Sequence, residues 1–467
     1  MGGATEPALF TIFGATGDLS QRKLLPAIYN LAHRGLLPAQ FALVGYSRTE
    51  MDDTSFRRFA KAAIEAHSRT PIDERFWPAF AQMIHYQPGG FDDDKHFHDL
   101  AGRLASLDKD LGGGSHHVFY LSTPSSFFPV IVRRMGNAKL NRGPAGVRIV
   151  IEKPFGHDLQ SARELAGTVH RWFKESQVYR IDHYLGKETV QNIYALRFAN
   201  TIFEPIWSNG YVDHVQLTVA ESLGVEHRAA FYEETGVVRD VVQNHLLQIV
   251  GYLAMEPPSF AWREALRDEQ AKVLRTIRPL SPAETVLGQF RGYRGEAGVK
   301  KGSNVPTYAA LHLFIDSWRW QGVPFHVTAG KCLSTTRTEV LVKLKPSPGV
   351  VFREPGVPDG NYVRFTLSPQ VRIAIGARAK RPGDGMFGEP VELSVMENES
   401  SDRLDAYERL IGDAMDGDPT LFARQDAVEA AWAIVNPVLE PGNPLFVYEC
   451  GSAGPAEARS LVGGGWA

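Results

Sequence analysis

A chain of 467 residues is longer than one compact core ordinarily holds, so length alone implies two domains. Hydrophobic residues at 43%, charged at 22% and aromatic at 10% give the balance of an ordinary globular protein and set aside disordered and fibrous classes. The 50 basic and 53 acidic residues interleave to a formal charge of -3, which removes the electrostatic case for nucleic acid or a membrane surface and leaves any anionic ligand to a local cluster.

The first third alternates short β-branched runs with helical patterns. LFTIFG (9–14), FALVGYS (41–47), HHVFYLST (116–123), VRIVIEKPFG (147–156) and QVYRIDHY (177–184) read as strands, separated by stretches such as 158–175 with apolar spacing of three and four. That rhythm predicts an α/β domain over 1–181, with a parallel sheet wrapped by helices. From 182 to 467 helical stretches at 187–200, 236–255 and 261–277 mix with strand-like segments, among them YVDHVQLTVAES, LHLFIDSWRW, PFHVTAG, TEVLVKLK, YVRFTLS, VRIAIGARA and VELSVM. Strands in succession predict an α+β domain with a large, mostly antiparallel sheet. The Pro/Gly-rich 346–361 and 381–390 read as surface loops, and the GGGWA tail as mobile.

No apolar run nears the roughly 20 residues of a membrane helix, and the start MGGATEPALFTIFG lacks a signal peptide's basic region, so the expected location is the cytoplasm. Cys332 and Cys450 are too few for a disulfide framework, which suits a reducing compartment.

Strand, glycine turn and helix follow one another in TIFGATGDLSQRKLLPAIYNL. Gly14 and Gly17 allow the close backbone approach and free N–H groups that a dinucleotide pyrophosphate needs, and Asp18 and Ser20 can cap the helix. A plain turn between strand and helix is the alternative. At the end of the second strand an NAD site carries an acid, whereas FALVGYSRTE offers Arg48, a cation suited to the 2′-phosphate of NADP or simply a solvated arginine. VIEKPFG places Glu152, Lys153 and Pro154 at a strand's carboxyl end, where ligands bind in open α/β sheets; a strand-ending proline with an incidental ion pair reads equally well.

RIDHYLGKE crowds Asp182, His183, Tyr184 and Lys187 around Gly186. Strand alternation sends Asp182 and His183 to opposite faces, and a helix starting near Gly186 lets His183, Tyr184 and Lys187 converge on a phosphate dianion. In TGVVRDVVQNHLLQIV, His245 falls on an inward apolar stripe, the usual place of a satisfied core histidine. At about 100° per residue, Asp240 lies about 140° round the helix from it.

With GATGDLSQRK, GYSR, EKPFG, RIDHYLGKE and RDVVQNHLLQ in this order, the chain resembles the glucose-6-phosphate dehydrogenase family over nearly its whole length. The resemblance implies a Rossmann-like N-terminal domain, oxidation of the C1 hydroxyl of β-D-glucose 6-phosphate by NADP to the 6-phosphogluconolactone, and a homodimer or homotetramer built through the sheet domain. Residue by residue it implies that the turn of Gly14, Ala15, Thr16 and Gly17, continuing through Asp18, Leu19, Ser20 and Gln21, binds the pyrophosphate, and that Arg48 takes the 2′-phosphate. Lys153 touches cofactor and substrate, while His183, Tyr184 and Lys187 hold the sugar phosphate. His245 is the implied general base and Asp182 the carboxylate that orients it; Glu221, Asp240 and Lys331 contact the sugar. No metal is implied.

Thr336 stands where the family often has a basic residue, and Ser368 where relatives carry glutamine, so substrate contacts at the periphery differ. Two other functions share some of these features: a dehydrogenase of an unphosphorylated sugar, of the glucose–fructose oxidoreductase type, and a non-catalytic sensor of NADP and a sugar phosphate.

Overall fold

The computed structural model describes residues 6–259, 263–347, 360–383, 386–396, 404–440 and 442–461. The chain divides into two units, the first comprising Met1–Lys187, Phe260–Arg267 and Asp402–Val428, the second Glu188–Ser259, Asp268–Ser401 and Glu429–Ala467.

In the first unit, β1 (Ala8–Phe13), β2 (Phe41–Ser47), β3 (Ile84–Pro88), β4 (His116–Leu121), β5 (Val147–Ile151) and β6 (Val178–Ile181) form one parallel sheet in the order 6-5-4-1-2-3. Every residue of β1 and β2 is buried, as central parallel strands covered on both faces must be, which is why they read as unbroken apolar runs. The strand order reverses between β1 and β4, so their carboxyl ends open the crevice in which such sheets bind ligands. The two-residue strand Phe422–Ala423 joins the outer edge antiparallel to β6.

The late segment 402–428 is held by a buried carboxylate. Glu408, 1% exposed, accepts hydrogen bonds from Asn30 Nδ2 at 2.9 Å and from Arg69 at 2.7 Å, with Arg34 at 3.9 Å. The same side chain closes a capping box with Asp405 at the start of the helix Ala406–Asp416. At that helix's other end Arg148 donates to the carbonyls of Ala414 and Met415, where a cation meets the negative pole of the helix.

The second unit carries a nine-stranded sheet of β7 (Val212–Ala220), β8 (Thr285–Phe290), β9 (Tyr308–Leu313), β10 (Phe325–Gly330), β11 (Arg337–Leu344), β12 (Tyr362–Ser368), β13 (Arg372–Lys380), β14 (Gly388–Met396) and β15 (Leu445–Tyr448). Its order is 14-13-12-11-7-10-9-8-15, antiparallel except for β7 with β10 and β8 with β15. Burial alternates along β11 and β12, so each presents one face to the core. Helices run over Glu188–Phe198 and Ala229–Ala254, the latter interrupted at Gly236 and wound as a π-helix over Val238–Leu246.

Several expectations need correction. The loop expected over 381–390 ends early, because Gly388–Pro390 already pair with β13. Of the loop expected over 346–361, residues 348–359 lie outside the described residues, as does the tail. The two cysteines, too few for a framework, nevertheless pair as a Cys332–Cys450 disulfide across 118 residues of sequence. No helix among the described residues is long and apolar enough to cross a membrane.

Glu408→Gln keeps one acceptor oxygen but turns an NH2 toward the other donor and removes the charge that Arg69 faces, so it is expected to cost about 2 kcal/mol in urea unfolding. A midpoint unchanged from wild type would show that the segment is held by other contacts.

Candidate active site

In the first unit the glycine turn is fixed by backbone hydrogen bonds: Gly14 and Ala15 N–H donate to Tyr46 O at 2.8 and 3.2 Å, and Gly17 N–H to Gly14 O at 2.9 Å. Gly14 has φ 82°, and a Cβ there would lie 2.3 Å from Ser122 O, so only glycine lets β1 leave the sheet against the end of β4. Thr16 Oγ1 is 2.8 Å from Ser47 Oγ, and Gln21 Nε2 donates to Thr16 O at 3.0 Å. The capping expected of Asp18 and Ser20 does not occur. Asp18 instead pairs with Arg22 one turn on, at 2.7 Å, Ser20 is buried, and the helix begins as a π-turn over Ser20–Leu24 with Leu19 before it and no side-chain cap. At the end of β4, Ser122 Oγ and Thr123 Oγ1 are buried without a protein partner among the described residues. Tight glycine backbone, the opening N–H groups and orphaned hydroxyls suit a dinucleotide phosphate.

Arg48 follows β2 directly, is exposed, and holds its guanidinium 6.0 and 5.9 Å from the ring centroids of Phe91 and Phe127. Flanking rings restrict its rotamers while leaving the charge available.

At the end of β5, Glu152 is 8% exposed and accepts a hydrogen bond from Tyr120 OH at 2.5 Å. Burial pushes its carboxyl up to about 7, against the hydrogen bonds of Tyr120 and Tyr407 and the charge of Lys153, with Asp182 adding to the rise. The next peptide bond, Lys153–Pro154, is cis.

Strand β6 stops at Ile181, and the six residues that follow form a turn rather than a strand. The expected divergence of Asp182 and His183 by strand alternation therefore does not apply. Tyr184 N–H donates to Asp182 Oδ1 at 3.0 Å, Leu185 N–H to Asp182 O at 2.9 Å, and Lys187 N–H to Tyr184 O at 3.1 Å, while the helix begins at Glu188 rather than near Gly186. Lys187 Nζ lies 3.7 Å from the Tyr184 ring centroid, and burial lowers the pKa of its ammonium, partly offset by Asp182 and Asp405. The His183 ring stands edge-on to Tyr184 at 5.1 Å and stacks at 6.5 Å on Tyr407. A Cβ on Gly186 would come within 2.9 Å of Ala406 O, so the turn needs glycine to lie against the helix that delivers Tyr407. Imidazole, phenol and ammonium are thus gathered on one turn, whose Tyr184, Leu185 and Lys187 N–H groups are spent in shaping it.

Tyr407 is the residue that sequence reasoning missed. Its local pattern, DAYE, signals a capped helix start and nothing about what the ring meets.

In the second unit, Lys331 Nζ donates to Glu221 Oε2 at 2.5 Å and sits 5.4 Å from the centroid of the buried Tyr232 ring. Thr336 is exposed and its hydroxyl accepts from Ser222 N–H at 3.0 Å, so it fastens the loop after Glu221 instead of supplying a charge. His245 is 4% exposed, and its backbone N–H donates to Asn244 Oδ1 at 2.6 Å, while Asn244 Nδ2 donates to Arg239 O at 3.2 Å. Asp240 and His245 both fall within the π-helix, which turns less per residue than an α-helix does. The separation of about 140° assumed ordinary helical winding, which does not hold over these residues.

The titration of Glu152 has a sign that can be tested. Its value lies above the ordinary 4.5, so the stability tied to its protonated form is complete below about 4.5 and lost as pH rises through about 7. Raising pH from 5 to 8 is therefore expected to lower the melting temperature of wild type relative to Glu152→Gln, which stays neutral. Parallel melting curves for the two proteins across that range would contradict it.

Residues 11–192 match the family described as glucose-6-phosphate dehydrogenase, NAD binding domain, and residues 194–465 match glucose-6-phosphate dehydrogenase, C-terminal domain. The glucose-6-phosphate 1-dehydrogenase of Treponema pallidum is 40% identical over 99% of this chain and 95% of its own length, and glucose-6-phosphate 1-dehydrogenase 2 of Mycobacterium bovis is 41% identical over 98% and 93%. Among solved structures, glucose-6-phosphate 1-dehydrogenase from Mycobacterium avium superposes with a TM-score of 0.87 at 36% identity, covering 99% of this chain and 98% of that one. A glucose-6-phosphate dehydrogenase in complex with its substrate glucose 6-phosphate superposes with a TM-score of 0.90 at 30% identity, covering 99% of each. With both halves of the family and nearly every residue matched, the chain belongs to the glucose-6-phosphate dehydrogenase family.

Proposed function

We propose that this chain oxidises C1 of β-D-glucose 6-phosphate with NADP, giving 6-phospho-D-glucono-1,5-lactone and NADPH, the first step of the oxidative pentose phosphate pathway. The supporting observation is the turn 182–187, which gathers donors for a phosphate dianion, in a chain whose relatives bear that activity in their names. A dehydrogenase of an unphosphorylated sugar has no use for such a turn, and a sensor has no use for a base such as His245.

His183, Tyr184 and Lys187 take the phosphate. Glu221, Asp240 and Lys331 accept from and donate to the sugar hydroxyls, and Lys153 contacts both sugar and cofactor. Thr336 takes part through the loop it fastens, since a hydroxyl cannot replace the family's charge.

An alcohol loses hydride readily only as its proton departs, so a base whose pKa lies near neutrality must reach O1, and the His245 imidazole has that role. Asp182 is assigned to orient the ring and stabilise the imidazolium, fixing the tautomer that accepts at the correct nitrogen. The turn Gly14–Gln21 holds the pyrophosphate and Arg48 the 2′-phosphate; when bound, the nicotinamide supplies the hydride acceptor. The division of labour proposed is a dinucleotide domain over 1–181 and a substrate and self-association domain over 182–467. Homodimers or homotetramers form through the sheet domain, where Phe387 and Leu393 are 48% and 65% exposed at the edge hairpin.

Replacing the base by an amide that cannot take a proton, His245→Asn, is expected to lower kcat by about a thousand-fold while leaving sugar phosphate affinity within about two-fold. An unchanged kcat removes His245 as the base. Arg48→Ala should raise the KM for NADP by about ten-fold and that for NAD by less than about two-fold, and equal changes contradict the 2′-phosphate assignment. Both follow from initial rates of absorbance at the reduced cofactor's band.

A further inference from the structure

We propose that the Cys332–Cys450 disulfide positions the substrate contacts Lys331 and Glu221, so that opening it with a dithiol weakens binding of the sugar phosphate. This rests on the function proposed above, which gives Lys331 and Glu221 their role.

The disulfide is built into the segment that carries Lys331. That residue follows β10 directly, with its N–H donating to Thr307 O at 3.0 Å and its carbonyl accepting from Tyr448 OH at 2.6 Å. Cys332 comes next in the left-handed region, φ 55°, which a residue with a Cβ enters only when its surroundings hold it there. Its N–H donates to Leu223 O at 2.9 Å, its carbonyl accepts from Gly451 N–H at 2.8 Å, and its sulfur is bonded to Cys450. Leu333 N–H then returns to Glu221 O at 2.9 Å, and Ser334 N–H reaches Ser452 O at 2.9 Å. The disulfide thus ties the chain beyond β15 to the turn that sets Lys331 Nζ against Glu221 Oε2. Noncovalent contacts join the same two segments, so the cross-link sharpens the geometry of a turn that survives without it.

The bond is open to exchange, since Cys450 is exposed and Cys332 partly so. A thiolate of a small dithiol attacks Cys450 Sγ, the sulfur–sulfur bond breaks, and Cys332 leaves as thiolate and takes a proton. The reductant's second thiol then closes on the mixed disulfide, freeing Cys450 as a thiol. Two electrons and two protons pass from the dithiol to the protein. In the other direction hydrogen peroxide takes two electrons and two protons from the thiol pair and becomes two waters.

The test compares enzyme treated with hydrogen peroxide with enzyme treated with dithiothreitol. Free thiols are counted by alkylation and intact mass, KM is measured for both substrates, and amide exchange is followed at 331–334 and 449–452. The expected result is no free thiol after peroxide and two after dithiothreitol. The reduced form should show a KM for glucose 6-phosphate raised by about 5-fold or more and a KM for NADP within about 2-fold. Amide exchange should be faster in both segments of the reduced form. The double variant Cys332→Ser with Cys450→Ser should match the reduced form and ignore dithiothreitol. Two free thiols after peroxide, an unchanged KM once the bond is open, or a double variant that still responds each overturn the proposal. Lack of turnover in either state strikes at the proposed function instead, and the exchange arm then decides, with equal protection at 331–334 overturning the positioning role.

Discussion

Much of the site depends on the way Asp182 ends β6. By accepting the Tyr184 N–H on its side chain and the Leu185 N–H on its carbonyl, it turns the chain out of the sheet within two residues, and His183, Tyr184 and Lys187 emerge together. A strand carried on to 184 would have sent alternate side chains to opposite faces. Its backbone also passes within reach of the helix Ala406–Asp416, so the turn tolerates only a glycine at 186 and has Tyr407 stacked on its histidine.

That helix is itself anchored by a carboxylate that is almost wholly buried and shared by Asn30 and two arginines. An ion held in that way is costly to break and weak as a source of net stability, so its service is to position. The same helix brings Tyr407 to Glu152, where burial holds a carboxyl near neutrality beside Lys153. The buried Glu152 carboxyl and the turn 182–187 in the first unit therefore share one late segment of chain.

Strands whose residues are buried on both faces were legible because the run is unbroken, and β2 was read to its last residue. Strand β3 was missed because His85 and Gln87 dilute its apolar character and Pro88 closes it, and β8 because Gly288 and Gln289 do the same. Nine residues are too few for a hydrophobic pattern to separate π from α winding, so the changed winding between Asp240 and His245 was hidden. The return of 402–428 to the first unit was hidden for another reason, since Asn30 and Glu408 stand 378 residues apart and local patterning carries no such pairing. The motif residues themselves were legible as chemistry, because a glycine turn after a strand and a crowded acid, imidazole, phenol and ammonium have few physical uses.

The central claim is that the turn 182–187 selects a phosphorylated sugar, and kcat/KM for glucose 6-phosphate and for glucose in wild type and in Lys187→Ala measures it most directly. The account predicts that the phosphorylated sugar is strongly preferred by wild type and that the substitution lowers its kcat/KM by about a hundred-fold while changing that for glucose by less than about two-fold. Equal use of both sugars by wild type, or an equal loss on both in the variant, would contradict it.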